Sequence, residues 1–242
     1  MLQILFSRRI RLHSLRTFAA HYKHMSKKLW FYLGFFLLLT GVFFLAIFWG
    51  TDLWRKKLPT MNEVKDFAFV NQLGDTITNS NVAGKVQVVE FFFTTCTGIC
   101  PKMNTNMAVI AKDFAAEEDF VMLSHTVDPD TDSVARLKHY ADSMKIDHKK
   151  WMLLTGTKEK LYEAARKSYL LDDQKNGLDP IADQFIHTQL FALVDRAGKL
   201  RGIYDGLDKK ELAKLNEDIS LVLKERYDGP RFVNGIFQNN PN

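Results

Sequence analysis

Cysteine is scarce in this chain, with two in 242 residues. That excludes a disulfide-rich secreted scaffold and a four-cysteine zinc site. Acid is missing from residues 1–28, which carry seven basic side chains: Arg8, Arg9, Arg11, Arg16, Lys23, Lys27 and Lys28. The remainder has 26 basic against 28 acidic residues, so the net charge of +5 belongs to the N-terminus and not to the folded part. No Lys/Arg cluster follows residue 57. A nucleic-acid footprint needs such a cluster on a fold, so nucleic acid is not expected as a partner. With 46% hydrophobic, 12% aromatic and 25% charged residues, the composition is neither disordered nor collagen-like. The length allows one domain of ordinary size with appendages, or two small ones.

Charge is also absent from residues 29–49, LWFYLGFFLLLTGVFFLAIFW, a run of 21 residues. At 1.5 Å per residue such a helix spans the ~30 Å hydrocarbon core of a bilayer. Trp30, Tyr32 and Trp49 sit near its ends, where amphipathic rings favour the interface. A signal peptide has a shorter apolar stretch, about 7–15 residues, and a small-residue cleavage site. The Trp49–Trp54 segment offers no such site, so an uncleaved anchor is expected. Seven basic residues before the span outweigh Arg55, Lys56 and Lys57 after it. The N-terminus is therefore expected in the cytoplasm, and the rest of the chain on the periplasmic side of the inner membrane. The expected plan is a basic segment 1–28, a transmembrane helix 29–49, a linker 50–63, a folded domain 64–227 and a loose tail 228–242.

Within the folded domain, Phe67–Val70 and Thr76–Thr78 flank Gly74-Asp75 and predict a hairpin. Val86–Phe93 and Phe120–Val127 are apolar, β-branched and aromatic, fit for strands buried on both faces. Met103, Met107, Ile110 and Phe114 recur at helical spacing behind Pro101. Residues 133–144 and 157–168 predict two more helices, and 151–154 a strand between them. Residues 169–186 read as irregular, 188–204 as a second hairpin and 208–226 as a closing helix. Strand and helix alternate, which predicts an α/β fold with a mixed, thioredoxin-like sheet, largely parallel before its last hairpin, and helices on both faces.

The cysteines stand four apart in Phe93-Thr94-Thr95-Cys96-Thr97-Gly98-Ile99-Cys100-Pro101, between a buried strand and a helix. Sulfurs so placed can form a disulfide, or as two thiolates grip one soft metal. A helix N-terminus favours the thiolate through its dipole and free N–H groups. Two thiolates with one imidazole suit Cu(I), and the same set holds Cu(II). Of seven histidines, His13, His21 and His24 precede the membrane span. His139 and His148 read as surface residues, and His125 as a hydrogen-bonded core residue. His187 closes a loop longer than most connections, and such loops are usually functional or disordered. It is the candidate third ligand. No arginine adjoins the cysteine motif, which argues against peroxide chemistry.

Three motifs in order, Thr95-Cys96-Thr97-Gly98-Ile99-Cys100-Pro101, Val127-Asp128-Pro129-Asp130-Thr131-Asp132 and Phe185-Ile186-His187-Thr188, resemble the Sco/SenC family over about residues 64–224. The resemblance implies a membrane-anchored, thioredoxin-fold protein that binds copper and assists assembly of the CuA site of cytochrome c oxidase. Its implied partner is the apo CuA-bearing subunit or another copper protein. Cys96, Cys100 and His187 correspond to the family's copper ligands. Family members often have Asp directly before the ligand histidine, where this chain has Ile186. Asp128 and Asp183 are the nearby acids that can orient a ligand or balance charge. The alternative function is a thiol–disulfide oxidoreductase with Cys96 and Cys100 as its redox pair, reducing cysteines of an apo copper protein.

Overall fold

The computed structural model describes residues 26–48, 57–178, 180–181, 184–186 and 188–227. Trp49, Asp183, His187, the N-terminal histidines and the tail from Asp228 lie outside them. The chain divides into two compact units, Met1–Lys56 and Lys57–Asn242.

In the first unit, helix α1 spans Lys27–Phe48 and has no acidic or basic side chain beyond its first two residues. Its mean hydropathy reaches 2.4, and 22 residues rise about 33 Å, long enough to cross a membrane. Thr40 turns its hydroxyl back onto the Phe36 carbonyl at 2.8 Å, so the described part of the span leaves that polar group satisfied inside the helix.

The second unit is an eight-stranded sheet. Its strands are β1 Asn62–Glu63, β2 Ala68–Asn71, β3 Thr76–Thr78, β4 Val86–Phe92, β5 Phe120–Thr126, β6 Trp151–Thr155, β7 Leu190–Val194 and β8 Lys199–Asp205. The spatial order is β1-β8-β7-β4-β5-β6-β2-β3. Only the centre is parallel: β4 pairs β5 and β5 pairs β6 in that sense. β4 meets β7, and β6 meets β2, antiparallel. The sheet is therefore less parallel than the alternation of strand and helix predicts, because both hairpins fold back onto the parallel core.

The helices are α2 Asn79–Val82, α3 Cys100–Asp113, α4 Val134–Ser143, α5 Lys158–Glu163 and α6 Lys209–Leu223. Every residue of β4 and β5 is buried, as their continuous apolar runs require. The two faces carry separate cores. Val89, Phe91, Leu123 and Ala192 pack with Val82 of α2 and Leu161 of α5 on one side. Val88, Phe92, Met122 and Leu193 pack with Met103 and Met107 of α3, Leu137 of α4 and Ile219 of α6 on the other. Both methionines are fully buried and belong to this core.

Each helix start has a local cause. Pro101 occupies the first turn of α3, where its missing N–H costs nothing. Ser133 and Asp208 cap α4 and α6 by accepting from Arg136 N–H and from the N–H groups of Lys210 and Glu211. The predicted helix 157–168 changes character halfway. From Ala164 to Ser168 it widens into a π turn, closed by Tyr169 N–H on the Ala164 carbonyl at 3.0 Å. Arg166 is buried there and donates to Asp172 at 2.7 Å and to Gln184 at 2.7 Å. It thereby bonds two points, Asp172 and Gln184, of the stretch that reads as irregular, whose described part includes a 3-10 turn at Gln174–Leu178.

Candidate metal centre

The cysteine loop leaves the C-terminal end of β4, at the centre of the sheet. In open α/β sheets this end of the strands is where ligands are held. Cys96 is partly exposed, and Cys100, the first residue of α3, is buried; both are free thiols. The two thiols act on each other's ionisation, Cys100 as hydrogen-bond donor toward a Cys96 thiolate. Burial opposes ionisation of Cys96, but that bond and the backbone N–H groups of Cys100, Gly98 and Ile99 outweigh it. Its pKa is held below the ordinary thiol value. Burial pushes Cys100 the other way, up to about 12, and its bond to Cys96 adds to the rise. The pair is thus asymmetric: an outer sulfur poised to ionise and an inner one that keeps its proton until a cation or a bond replaces it.

Behind Cys100 the same face of the sheet carries Glu90. Burial raises its pKa to about 8. Ser124 donates to Oε1 at 2.6 Å, Trp151 Nε1–H supports Ser124 at 2.7 Å, and Oε2 has no hydrogen-bond partner among the described residues. Tyr140 of α4, its hydroxyl bonded by Asn104 Nδ2 at 2.7 Å, is pushed up to about 12, first by burial.

His125 lies on the opposite face. It is fully buried among Phe67, Phe69, Phe91 and Tyr169, with Phe91 stacked at 5.0 Å. Burial drops its pKa to about 3, which the nearby Glu90 backbone offsets only in part. It is a core residue as expected, but among the described residues neither ring nitrogen finds a hydrogen bond of good geometry. His139 is exposed, and His148 touches Asp142 at 3.3 Å and Gln72 at 3.0 Å. Among the described residues no three His, Cys, Asp or Glu side chains cluster as a metal site.

His187 and Asp183 lie outside the described residues, but the chain beside them is anchored. Phe185 packs edge-on against Phe93 at 5.0 Å. Tyr162 donates its hydroxyl to the Val127 carbonyl at 2.9 Å and approaches the Gln184 carbonyl at 3.3 Å. Ile186 N–H reaches the same hydroxyl at 3.5 Å. Ile186 itself is 3% exposed and belongs to the core. An aspartate side chain following the same path would be buried in that core, which accounts physically for an apolar residue here.

Asp128 is half-buried, and its backbone makes the turn: its N–H donates to Thr126 Oγ1 at 3.0 Å and its carbonyl accepts from Asp132 N–H at 2.8 Å. The acid that reaches the cysteine loop is Asp132, fully buried and bonded to Thr94. Sequence reasoning missed it because nothing in Asp128-Pro129-Asp130-Thr131-Asp132 distinguishes the one buried carboxylate. It also missed Arg136, which α4 brings to Thr94 at 2.6 Å although no arginine adjoins the motif in sequence.

The family model described as SCO1/SenC matches residues 55–222. The chain belongs to the SCO1/SenC family. The SCO1 protein homolog of Bacillus subtilis (strain 168) is 32% identical over 165 residues, 67% of this chain and 84% of that protein. BsSco, described as a member of the Sco family of cytochrome c oxidase assembly proteins with a disulfide switch, matches with TM-score 0.60 and 30% identity. That match covers 71% of this chain and all of that one. ScoI of Bradyrhizobium japonicum, solved with copper bound, shares the fold at 20% identity and TM-score 0.52, over 66% of this chain and 99% of that one. These likenesses establish the thioredoxin-like Sco fold for the second unit of this family member.

Proposed function

We propose that this protein is a membrane-anchored copper metallochaperone that takes copper on Cys96, Cys100 and His187 and passes it to an apo copper protein, the CuA-bearing subunit of cytochrome c oxidase. The observation that carries this reading is the pair of free sulfurs, one partly exposed and one buried at the start of α3, where the cysteine loop leaves the central strand. Two soft donors at one point suit Cu(I), and copper is cargo here, bound and released by exchange of ligands. Family membership supports the role, since BsSco is described as a cytochrome c oxidase assembly protein and ScoI holds copper. His187 is the third ligand by motif, and the anchored neighbours Phe185 and Ile186 support it. Asp128 and Asp183 are the acids available to balance charge. Helix α1 anchors the chain in the inner membrane, with the copper-binding unit on the periplasmic side; protease added to spheroplasts digests that unit, and protection until lysis contradicts the orientation.

The test is metal analysis of the reduced full-length chain in detergent, without oxygen. One copper per chain is expected. His187→Ala keeps a weaker two-sulfur Cu(I) site and loses the thiolate charge-transfer band of Cu(II). An unchanged band removes His187 from the site.

The asymmetry of the pair favours a second activity on the same sulfurs. Cys96 is the accessible, more acidic thiol, as an attacking group in thiol–disulfide exchange should be. The reduced pair then gives two electrons to a disulfide in the apo partner and becomes the Cys96–Cys100 disulfide.

A further inference from the structure

Asp132 is fully buried beneath the cysteine loop. It accepts the Thr94 N–H at 3.1 Å and, in a very short contact, the Thr94 hydroxyl. Its second oxygen also accepts the Thr126 hydroxyl at 2.6 Å. Each threonine hydroxyl accepts in turn: Thr94 from Arg136 Nε at 2.6 Å, and Thr126 from Asp128 N–H at 3.0 Å. Arg136 Nε lies 3.7 Å from Asp132 itself. Thr94 and Thr126 stand where β4 and β5 end, and these strands pair through Phe92 and Thr126. One carboxylate therefore clamps the exits of the two central strands where they part into the cysteine loop and the Asp128–Asp132 turn.

We infer that Asp132, acting through Thr94, is a positioning residue for the sulfur pair: it fixes the start of the loop and so sets how often the Cys96 sulfur meets Cys100. The inference rests on the reading of Cys96 and Cys100 as the working pair. Closing a disulfide and chelating one copper ion both depend on the effective concentration of one sulfur at the other. A loop released at Thr94 lowers that concentration. Both equilibria then weaken together and by a similar factor, the disulfide becoming easier to reduce and Cu(I) easier to lose. Loss of a buried carboxylate that only stabilised the fold would lower the melting temperature and move neither.

The test uses the full-length chain in detergent. Three quantities are measured: the Cys96–Cys100 midpoint in glutathione buffers, Cu(I) affinity against a competing chelator, and Tm. Thr94→Val keeps the side-chain shape and the backbone N–H bond but removes the bridging hydroxyl. It is expected to weaken both equilibria about tenfold, the lower end of what supporting hydrogen bonds contribute at metal sites. For the disulfide that is a midpoint about 30 mV less negative. Thr94→Ser restores both to within about twofold, and Asp132→Asn shifts both further than Thr94→Val. Asp195→Asn, a buried carboxylate at the other end of the sheet, lowers Tm alone. The inference is overturned if Thr94→Val lowers Tm yet leaves the midpoint within twofold of wild type. Where wild type binds Cu(I), a shift in only one of the two equilibria overturns it as well. Should reduced wild type hold no copper, the copper reading fails, and the midpoint alone decides the role of Asp132.

Discussion

Both ends of the central strands are tied by buried carboxylates, and the two ties differ in what they hold. Where β4 begins, Arg201 is 6% exposed and donates to Asp195 at 2.9 Å, to Glu225 at 2.7 and 2.9 Å, and to the Leu58 carbonyl at 2.6 Å. Each charged group in that cluster has an ionic partner, and the cluster closes β8, the helix end and the entering chain on one another. Where β4 ends, Asp132 is as deeply buried, but the groups that bond it are a loop N–H and two hydroxyls, with Arg136 Nε farther off at 3.7 Å. Two residues beyond Thr94 stands a partly exposed sulfur. A network closed on itself supports the fold; one that stops short of a reactive group sets where that group stands.

The sharpest way to separate the two ends is to break each. Cys96→Ser or Cys100→Ser removes a soft ligand and abolishes retention of Cu(I) against a chelator. Full retention in both variants would remove the sulfurs from the site. Arg201→Ala leaves two carboxylates without their cation, which costs about 3 kcal/mol and lowers Tm by about 6–12 °C. Copper retention at the unaffected temperature stays at the wild-type level; a loss there would join the two ends into one functional unit.

Ile186→Asp tests the boundary between core and site. At a position 3% exposed an added carboxylate is buried without a cation, and a loss of about 3 kcal/mol is expected, read by urea unfolding. Unchanged stability would mean that the side chain turns out toward solvent and can serve the site.

The smallest effect contrasts the two faces of the sheet. His125 has its folded pKa near 3, so as pH falls from 6.5 toward 3 the unfolded chain takes up a proton that the folded one refuses, and stability is lost. Glu90 has its folded pKa near 8, so as pH rises from 4.5 toward 8 the unfolded chain releases a proton that the folded one keeps, and stability is lost again. Between 4.5 and 6.5 the two slopes cancel. Glu90→Gln removes the alkaline limb and raises Tm at pH 8 by about 4 °C, the shift of about 1–2 kcal/mol in a domain of this size. Thermal melts from pH 4 to 8.5 check this; a variant that still falls as pH rises would put the alkaline limb on another group.

Much of this was readable from residues alone. Val86–Phe93 and Phe120–Val127 are apolar without interruption, and a strand with no polar face has no alternative to the sheet centre. Two cysteines four apart before Pro101 mark the strand-to-helix turn by local rules. What was not readable depends on contacts distant in sequence. Asn62–Glu63 looks like linker, and becomes a strand only because β8 offers Leu200 and Lys199 as partners. Arg136 is 40 residues from Cys96 in sequence, and only α4 brings it to Thr94. In sequence Ile186 stands beside the proposed ligand His187, yet Tyr162 and the core receive it.

The central claim is that copper and the disulfide compete for the same two sulfurs. Copper binds thiolates, so it stabilises the reduced pair and must shift the redox equilibrium by its own binding energy. The direct measurement is the midpoint of the full-length protein in glutathione buffers, with and without Cu(I) held at a fixed free concentration by a chelator. One two-electron step is predicted, less negative with copper present and moving further as free copper rises. A midpoint that copper leaves unchanged would mean that metal and disulfide do not share Cys96 and Cys100, and would contradict the account.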